Sequence, residues 1–364
     1  MDRVRWTYKK LGDVATIING KNQKAVEDSN GQYPICGSGG IMGYATDYLC
    51  PENSVIVGRK GNINRPIFMT QKFWNVDTAF GISANLDLMI PKFLFYFCQI
   101  FDFQKLNKAV TIPSLVKSDL LKIDIPVPSK EKQLDIVAEL DTLSDTISML
   151  QRQLSDLDIL GLSIFHDMFG DPIINDKNWT FKPLCKIFDT ASGGTPSKKH
   201  PEYFDNGSIP WLRSGEVSQG MIYTTEMFIT EEGLQNSSAK YFPVDTVVVA
   251  MYGATVGQVG LLKKEMTTNQ AVCGIFPNSN FSPIFMLYYI KAQSEFLKRQ
   301  AVGGAQPNIS QGTIKNMNVP IIQQSLQQSF AYKIESIEDT KEAINTQIAE
   351  IQRLLAARMQ YWFN

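Results

Sequence analysis

Two long, regular apolar stripes run through the chain. In the first, Ile136, Leu140, Leu143, Ile147, Leu150, Leu154 and Leu157 alternate steps of four and three, and Ile164 and Met168 continue the line. In the second, Phe330, Ile334, Ile337, Ile344, Ile348, Ile351 and Leu355 do the same, with Lys341, Arg358 and Trp362 on the same seam. This heptad pattern belongs to a helix that buries one face. Each stripe predicts a rod of about 40 residues, about 60 Å long at 1.5 Å per residue. Such a helix is not stable alone, so its seam must be covered. Packing each rod on its own domain would do this. Pairing the rods with each other would also do it, and is the arrangement expected; it buries several Leu and Ile side chains per helix, each contributing about 1.5–3 kcal/mol before entropy. Gly161, Lys341 and Arg358 interrupt the seam and either fix its register or face a partner protein.

Adding 194 to the first stripe gives the second: Leu140 falls on Ile334, Leu154 on Ile348 and Leu157 on Ile351. The same offset carries Pro113 to Pro307, Leu120 to Ile314, Pro126 to Pro320 and Gln133 to Gln327. Val55-Ile56-Val57-Gly58-Arg59-Lys60-Gly61 lies over Val247-Val248-Val249-Ala250-Met251-Tyr252-Gly253 at an offset of 192, and Phe80-Gly81-Ile82 over Cys273-Gly274-Ile275 at 193. Trp6-Thr7-Tyr8-Lys9 returns as Trp179-Thr180-Phe181-Lys182, and each segment so opened closes on a proline phrase, Ile125-Pro126-Val127-Pro128 or Val319-Pro320. Collinear anchors over a whole segment indicate duplication. The boundaries that follow are a module over 1–128, a rod over 129–169, a module over 170–322 and a rod over 323–364. Phe169-Gly170-Asp171-Pro172 ends the first rod, because glycine and proline both stop a helix.

Within each module, short β-branched runs flanked by glycine, Val55–Val57 and Val247–Val249, read as buried strands. Residues 93–106 and 285–297 read as short amphipathic helices. Glycine clusters at 37–40, 192–196 and 303–304 mark loops. No regular strand–helix alternation appears, so the modules are α+β or loop-rich α/β rather than a doubly wound sheet.

The net charge is −1, but it is unevenly spread. Residues 1–128 hold 15 basic against 11 acidic side chains, and residues 129–170 hold 3 against 8. The first module is therefore mildly basic and the first rod acidic, so a polyanionic partner is permitted but bound weakly by this chain alone. The five cysteines, Cys36, Cys50, Cys98, Cys185 and Cys273, are scattered, and reduced thiols in apolar surroundings are expected. Two histidines, His166 and His200, give little from which to build a zinc site or a triad. Met1-Asp2-Arg3-Val4-Arg5 lacks the apolar core of a signal peptide, and the run around Phe93–Phe97 is too short to span a bilayer, so a cytoplasmic location without a membrane is expected. The chain carries no Asn/Asp-Pro-Pro-aromatic phrase, no phosphate loop and no Gly-x-Gly-x-x-Gly, since Gly253-Ala254-Thr255-Val256-Gly257 is not followed by Lys. No catalysis, bound metal or cofactor of its own is expected.

Several phrases resemble those of the specificity subunit of Type I restriction–modification systems. In the first module they are Tyr33-Pro34-Ile35-Cys36-Gly37-Ser38-Gly39-Gly40, Gly58-Arg59-Lys60-Gly61, Phe73-Trp74-Asn75-Val76-Asp77-Thr78-Ala79-Phe80 and Ile112-Pro113-Ser114-Leu115. In the second they are Ser192-Gly193-Gly194-Thr195-Pro196-Ser197, Ile209-Pro210-Trp211, Ser237-Ser238-Ala239-Lys240, Gly253 to Gly257, Thr268-Asn269-Gln270-Ala271 and Gly304-Ala305-Gln306-Pro307-Asn308-Ile309. Their order across both modules carries the resemblance; Leu326-Gln327 departs from it in lacking the acidic residue that often precedes that glutamine. It implies two globular target-recognition domains separated by two long antiparallel coiled-coil helices. Each domain would read one half of a bipartite, asymmetric site in double-stranded DNA, and the helices would set the unread spacer. Two methyltransferase subunits, which bind S-adenosylmethionine, would dock on them, and motor–nuclease (restriction) subunits using ATP and Mg would join. Without the resemblance, a scaffold binding protein or glycan with a helical stalk also fits the weakly acidic charge.

If the modules read DNA, the candidates are basic and amide residues on glycine-rich loops, because Arg pairs bidentately with guanine and Asn with adenine while Lys neutralises phosphate. They are Lys21, Lys24, Arg59, Lys60, Asn62, Asn64 and Arg65 in the first module, and Lys198, Lys199, Arg213, Lys240, Tyr252 and Gln258 in the second. Arg59 and Lys60 could instead form a solvated or intramolecular pair, and Asn269-Gln270 could brace a loop. Tyr252 stands where the first module has Lys60, a hint that the modules read different half-sites. Trp6, Trp179 and Trp362 are expected in packing.

Overall fold

The computed structural model describes residues 6–107, 112–303 and 307–363; residues 1–5 and the Gly304-Ala305-Gln306 part of the last phrase above lie outside them. The chain divides into two compact units, Met1–Arg152 with Asn345–Asn364, and Gln153–Ile344. Each unit thus holds one globular part and half of each long helix, and the chain passes between units in mid-helix both times.

The globular parts share one plan. In the first, strand Tyr8–Lys10 pairs antiparallel with Asp124–Pro126, Tyr8 opposite Pro126. In the second, Phe181–Pro183 pairs with Asn318–Pro320, Phe181 opposite Pro320. The opening Trp-Thr-aromatic-Lys phrase and the closing proline phrase are therefore two sides of one clasp. The first main sheet orders its strands Ala15–Asn19, Ala79–Ala84, Ser54–Gly58 and Ile67–Met69, all antiparallel. The second orders Thr190–Ser192, Val272–Ile275, Val247–Ala250 and Val259–Leu262 in the same way and adds Met221–Ile222 in parallel at the edge. Val55 faces Ile82 in the first sheet and Val247 faces Ile275 in the second, which are the pairs the sequence offset matches. Burial on both faces explains the unbroken Val and Ile runs of the central strands. A smaller sheet also recurs: Tyr33–Gly37 lies between antiparallel Gly40–Ala45 and parallel Trp74–Asn75, as Ile209–Leu212 lies between antiparallel Phe228–Ile229 and parallel Met266–Thr268. Tyr241–Phe242 adds a further edge strand to the second.

Three expectations change. The first predicted short helix ends at Ile100 and is followed by a separate 3₁₀ turn, Phe103–Leu106. The second splits into Pro283–Lys291 and Ser294–Arg299, and Ile284 to Ile290 are all buried, so it is a core helix rather than an amphipathic one. Four cysteines are buried free thiols but Cys185 is exposed. Burial pushes the thiols up, to about 11 for Cys36 and about 12 for Cys50, Cys98 and Cys273, which keeps them unreactive.

The long helices are Lys130–Phe169 and Gln324–Phe363. Ser129 starts the first by accepting the Lys132 N–H on its hydroxyl, and Gly170, at φ +78°, ends it by donating to the His166 carbonyl at 2.8 Å. The helices pair antiparallel within each unit. In the first unit the Arg358 guanidinium grips the Glu139 carboxylate through two hydrogen bonds, and the Trp362 indole N–H donates to the same carboxylate at 3.0 Å. The Lys132 ammonium sits 4.7 Å from the Trp362 ring centroid. In the second unit Lys341 reaches Asp158 at 3.2 Å and the Phe165 ring meets Phe330 at 5.7 Å. Both charged interruptions of the seam are thus satisfied inside the chain. Leu140, Ile147, Leu150, Ile334, Ile337, Ile344 and Ile348 are buried, and Leu143, Leu154, Leu157, Ile351 and Leu355 are half-buried. The glycine interruption has a different cause: a Cβ on Gly161 would stand 2.6 Å from the Tyr288 hydroxyl, so only glycine lets that buried ring lie against the helix.

Gln133 and Gln327 tie helix to module. Gln133 accepts the Ile90 N–H at 2.7 Å and donates to the carbonyls of Leu88 and Pro128. Gln327 accepts the Ser282 N–H at 2.9 Å and donates to the carbonyls of Asn280 and Ile322. The helix ends are closed likewise: the Trp6 indole donates to the Trp362 carbonyl at 3.2 Å and the Trp179 indole to the Phe169 carbonyl at 2.8 Å. These bonds satisfy carbonyls that a helix C-terminus leaves without partners.

Candidate nucleic-acid interface

A single loop position is built identically in both modules and carries different side chains. Strand Ser54–Gly58 is buried throughout and emerges as Arg59-Lys60-Gly61. Lys60 bridges to Ser114, the Gly61 N–H donates to the Pro113 carbonyl at 3.0 Å, and the Leu115 N–H donates to the Arg59 carbonyl at 2.9 Å. Val247–Ala250 emerges as Met251-Tyr252-Gly253, where Tyr252 bridges to Asn308, the Gly253 N–H donates to Pro307 at 2.9 Å, and the Ile309 N–H donates to Met251 at 2.9 Å. Two backbone hydrogen bonds therefore hold the turn in each module, while the bridged pair changes from exposed Lys60 with half-buried Ser114 to exposed Tyr252 with exposed Asn308. Ser114 and Asn308 were not singled out from sequence, although the offset of 194 places one on the other beside matching prolines.

Around the first turn, the carbonyl of Thr78 accepts the N–H groups of Arg59 and Lys60 at 2.8 and 3.2 Å, and the carbonyl of Asn75 accepts that of Lys21 at 2.9 Å. The short Asn75–Thr78 segment thus gathers Lys21, Arg59 and Lys60, all exposed, at one end of the sheet. Arg59 also lays its guanidinium 5.8 Å from the Phe80 ring centroid and donates to the Asp77 carbonyl at 3.4 Å. Asn62, Arg65 and Lys24 are exposed as well, Lys24 on a turn whose N–H bonds to Asn22 Oδ1 at 2.9 Å. Asn64 is engaged internally: its amide donates to Asp102 at 2.9 Å and its oxygen accepts the Phe103 N–H at 2.8 Å. The bond from Asn64 holds the exposed Asp102 carboxyl below the usual carboxylate range.

In the second module Tyr252 is 45% exposed and lines an open cleft of about 420 Å³ with Gly253, Pro307 and Asn308. Lys198, Lys199 and Lys240 are exposed. Arg213 is held by two carboxylates, Glu216 at 3.1 Å and Glu226. Gln258 is half-buried, and its Oε1 has no hydrogen-bond partner among the described residues. Asn269 accepts the Ala271 N–H at 3.2 Å, and Gln270 accepts the Thr195 hydroxyl, so this pair braces neighbouring loops. Among the described residues, no group of three or more His, Cys, Asp or Glu side chains could hold a metal ion. None of their helices is long and apolar enough to cross a membrane.

The family described as Type I restriction modification DNA specificity domain matches residues 3–157 and 176–353. The chain is 26% identical over 250 residues to the Type I restriction enzyme EcoR124I/EcoR124II specificity subunit of Escherichia coli, covering 66% of this chain and 61% of that one. It is 29% identical over 192 residues to the MjaIX specificity subunit of Methanocaldococcus jannaschii, covering 51% and 44%. It therefore spans less than two thirds of the length of these curated relatives. A crystal structure of the Type-I restriction-modification system S subunit from M. genitalium superposes with a TM-score of 0.58 at 15% identity, covering 100% of this chain and 97% of that one, which shows a shared fold.

Proposed function

Because the chain belongs to the Type I restriction modification DNA specificity family, we propose that it is the non-catalytic sequence-reading subunit of such an enzyme, with residues 1–128 and 170–322 as recognition domains and residues 129–169 and 323–364 as spacer helices. Each domain reads one half of a bipartite, asymmetric site in double-stranded DNA. The paired helices set the spacer and dock two methyltransferase subunits; restriction subunits with motor activity complete the assembly. S-adenosylmethionine, ATP and Mg belong to those partners.

The observation that supports this reading best is the duplicated turn. An identical backbone frame presents Lys60 and Ser114 in one module and Tyr252 and Asn308 in the other. A frame held constant beneath exchanged polar side chains suits two readers of different sequences. Arg59, Lys60, Lys21, Asn62 and Arg65 contact DNA in the first domain, and Tyr252, Lys198, Lys199 and Lys240 in the second. Lysines there contact phosphate and supply affinity that falls with salt. Asn64, Arg213 and Gln258 reach DNA only by leaving their present surroundings. The test is single-molecule sequencing of host DNA with and without the gene. A methylated adenine in each half of one split motif, lost on deletion, is expected; an unchanged methylation pattern refutes the proposal.

A further inference from the structure

Beside the Arg59-Lys60 turn lies a hairpin so far without a role. Its strands, Tyr33–Gly37 and Gly40–Ala45, are joined through Ser38 and Gly39, with Gly40 at φ +109°. Their pairing slips: Ile35 faces Gly43 but Cys36 faces Ile41, so Met42 is the extra residue of a bulge. In a regular strand neighbouring side chains point to opposite faces. The bulge re-aims them, and Ile41 and Met42 are 56% and 63% exposed. This strand is also the edge of its sheet. Two adjacent exposed aliphatic side chains on an edge invite contact with another molecule.

The surroundings indicate which molecule. A Cβ on Gly58 would stand 3.0 Å from the Ser38 Cβ, so the hairpin tip abuts the Arg59-Lys60 turn. A Cβ on Gly37 would meet Val76 at 3.2 Å and Thr78 at 4.0 Å, in the segment that gathers Lys21, Arg59 and Lys60. Three exposed cations are thus gathered on the segment beside the hairpin, with the exposed Asp77 carboxylate on that same segment and the exposed Glu27 carboxylate 3.8 Å from the place a Cβ on Gly43 would take. The Met42 sulphur folds back to 3.2 Å from the place a Cβ on Gly37 would take, so Met42 lies over the ribbon.

We propose that this two-stranded ribbon enters the major groove of duplex DNA and that Ile41 and Met42 recognise the C5-methyl group of thymine. The major groove admits a β-ribbon, and the thymine methyl is an apolar feature of the base edges there. The gathered cations contact phosphates, which draw the ribbon in without specifying sequence. The inference rests on the DNA-reading function proposed above and adds a base determinant to it. In the second module the corresponding strands, Ile209–Leu212 and Phe228–Ile229, are separated by residues 213–227, where Arg213 is tied to Glu216 and Glu226. Methyl recognition is thus confined to the first half-site.

The test uses the full chain with the methyltransferase polypeptide that co-purifies with it, on duplexes carrying the methylated motif. Each thymine is replaced in turn by deoxyuridine, which removes only the methyl. At least one replacement, in one half-site, is expected to weaken binding about fourfold, the worth of a single methyl group. The Ile41→Ser/Met42→Ser variant should be indifferent to that same replacement. A scan without any methyl effect overturns the inference while leaving the DNA-reading function standing, as does a variant that feels the replacement as the unaltered chain does. A variant that loses the methyltransferase instead marks the hairpin as a protein-docking surface and also overturns it. Failure of the unaltered complex to bind any defined duplex overturns both proposals.

Discussion

Gln133 and Gln327 do the same work at the foot of their respective helices: each is fully buried, accepts one backbone N–H from its module and donates to two backbone carbonyls. Removing the amide would take this partner from three backbone groups, one of them, the carbonyl of Pro128 or of Ile322, in a buried hydrogen bond, and an unpaired buried group costs about 1–3 kcal/mol. Gln133→Leu, which also removes the polar side chain, is expected to destabilise the first unit by about 2–4 kcal/mol and Gln327→Leu the second by a similar amount. Thermal unfolding combined with limited proteolysis reads which unit loosens. Equal loosening of both units by either variant would contradict separate pins.

The Glu139 carboxyl is held below its usual range by the hydrogen bond from Arg358, with Trp362 adding to the effect. A lowered carboxyl contributes stability that is fully present above its unfolded value, near 4.5, and is lost as pH falls through the folded value. Acid unfolding of the intact chain should therefore include loss of this contact below about pH 4.5. Arg358→Ala is expected to cost about 1 kcal/mol at neutral pH, since the pair is partly exposed, and to flatten the acid limb. Denaturant unfolding at pH 7 and pH 4 checks both signs.

Gly161→Ala sets helix propensity against packing. Alanine in a helix interior is favoured over glycine by about 1 kcal/mol. Against this, the new methyl would meet the buried Tyr288 ring at 2.6–3.1 Å. Packing should win, with a net loss of about 1–2 kcal/mol. In a Tyr288→Ala background the sign should reverse, because the obstruction is gone. Four denaturation curves complete the cycle, and additive effects would show that ring and glycine do not interact.

If the paired helices set the spacer, adding seven residues to each should lengthen the gap between half-sites and leave the half-sites intact. The insertions belong between Arg152 and Gln153 and between Ile344 and Asn345, where the chain passes from one unit to the other. Seven residues keep the heptad seam in phase. Methylation mapping gives the readout, and altered half-sites with an unchanged gap would refute the ruler.

Much of the architecture is legible in the sequence because duplication supplies a second copy of each signal. The offset matches Val55 to Val247 and Ile82 to Ile275 as equivalent positions of two copies, and these residues face each other in both sheets, but the pairing itself is not written in the offset. The heptads located both rods, and their polar interruptions became legible only with partners: Lys341 with Asp158, Arg358 with Glu139. Two-residue strands such as Met221–Ile222 and Tyr241–Phe242 are too short to carry a period. The uniformly buried helix Pro283–Lys291 lacks the polar face that distinguishes an amphipathic helix. At the candidate interface, residue type suggests candidates but not availability. Arg213 and Asn64 have the right chemistry, yet Glu216, Glu226, Asp102 and Phe103 already engage them. The exposed Ile41 and Met42 depend on a one-residue slip in pairing that no local pattern announces.

Trp6 and Trp362 meet in the first unit, yet all of residues 153–344 is translated between its two pieces. As the chain emerges from the ribosome, the opening module can form its sheet early but must wait, with an uncovered helix flank, until the second unit has been made. Premature termination anywhere after the second module would then injure the region synthesised first.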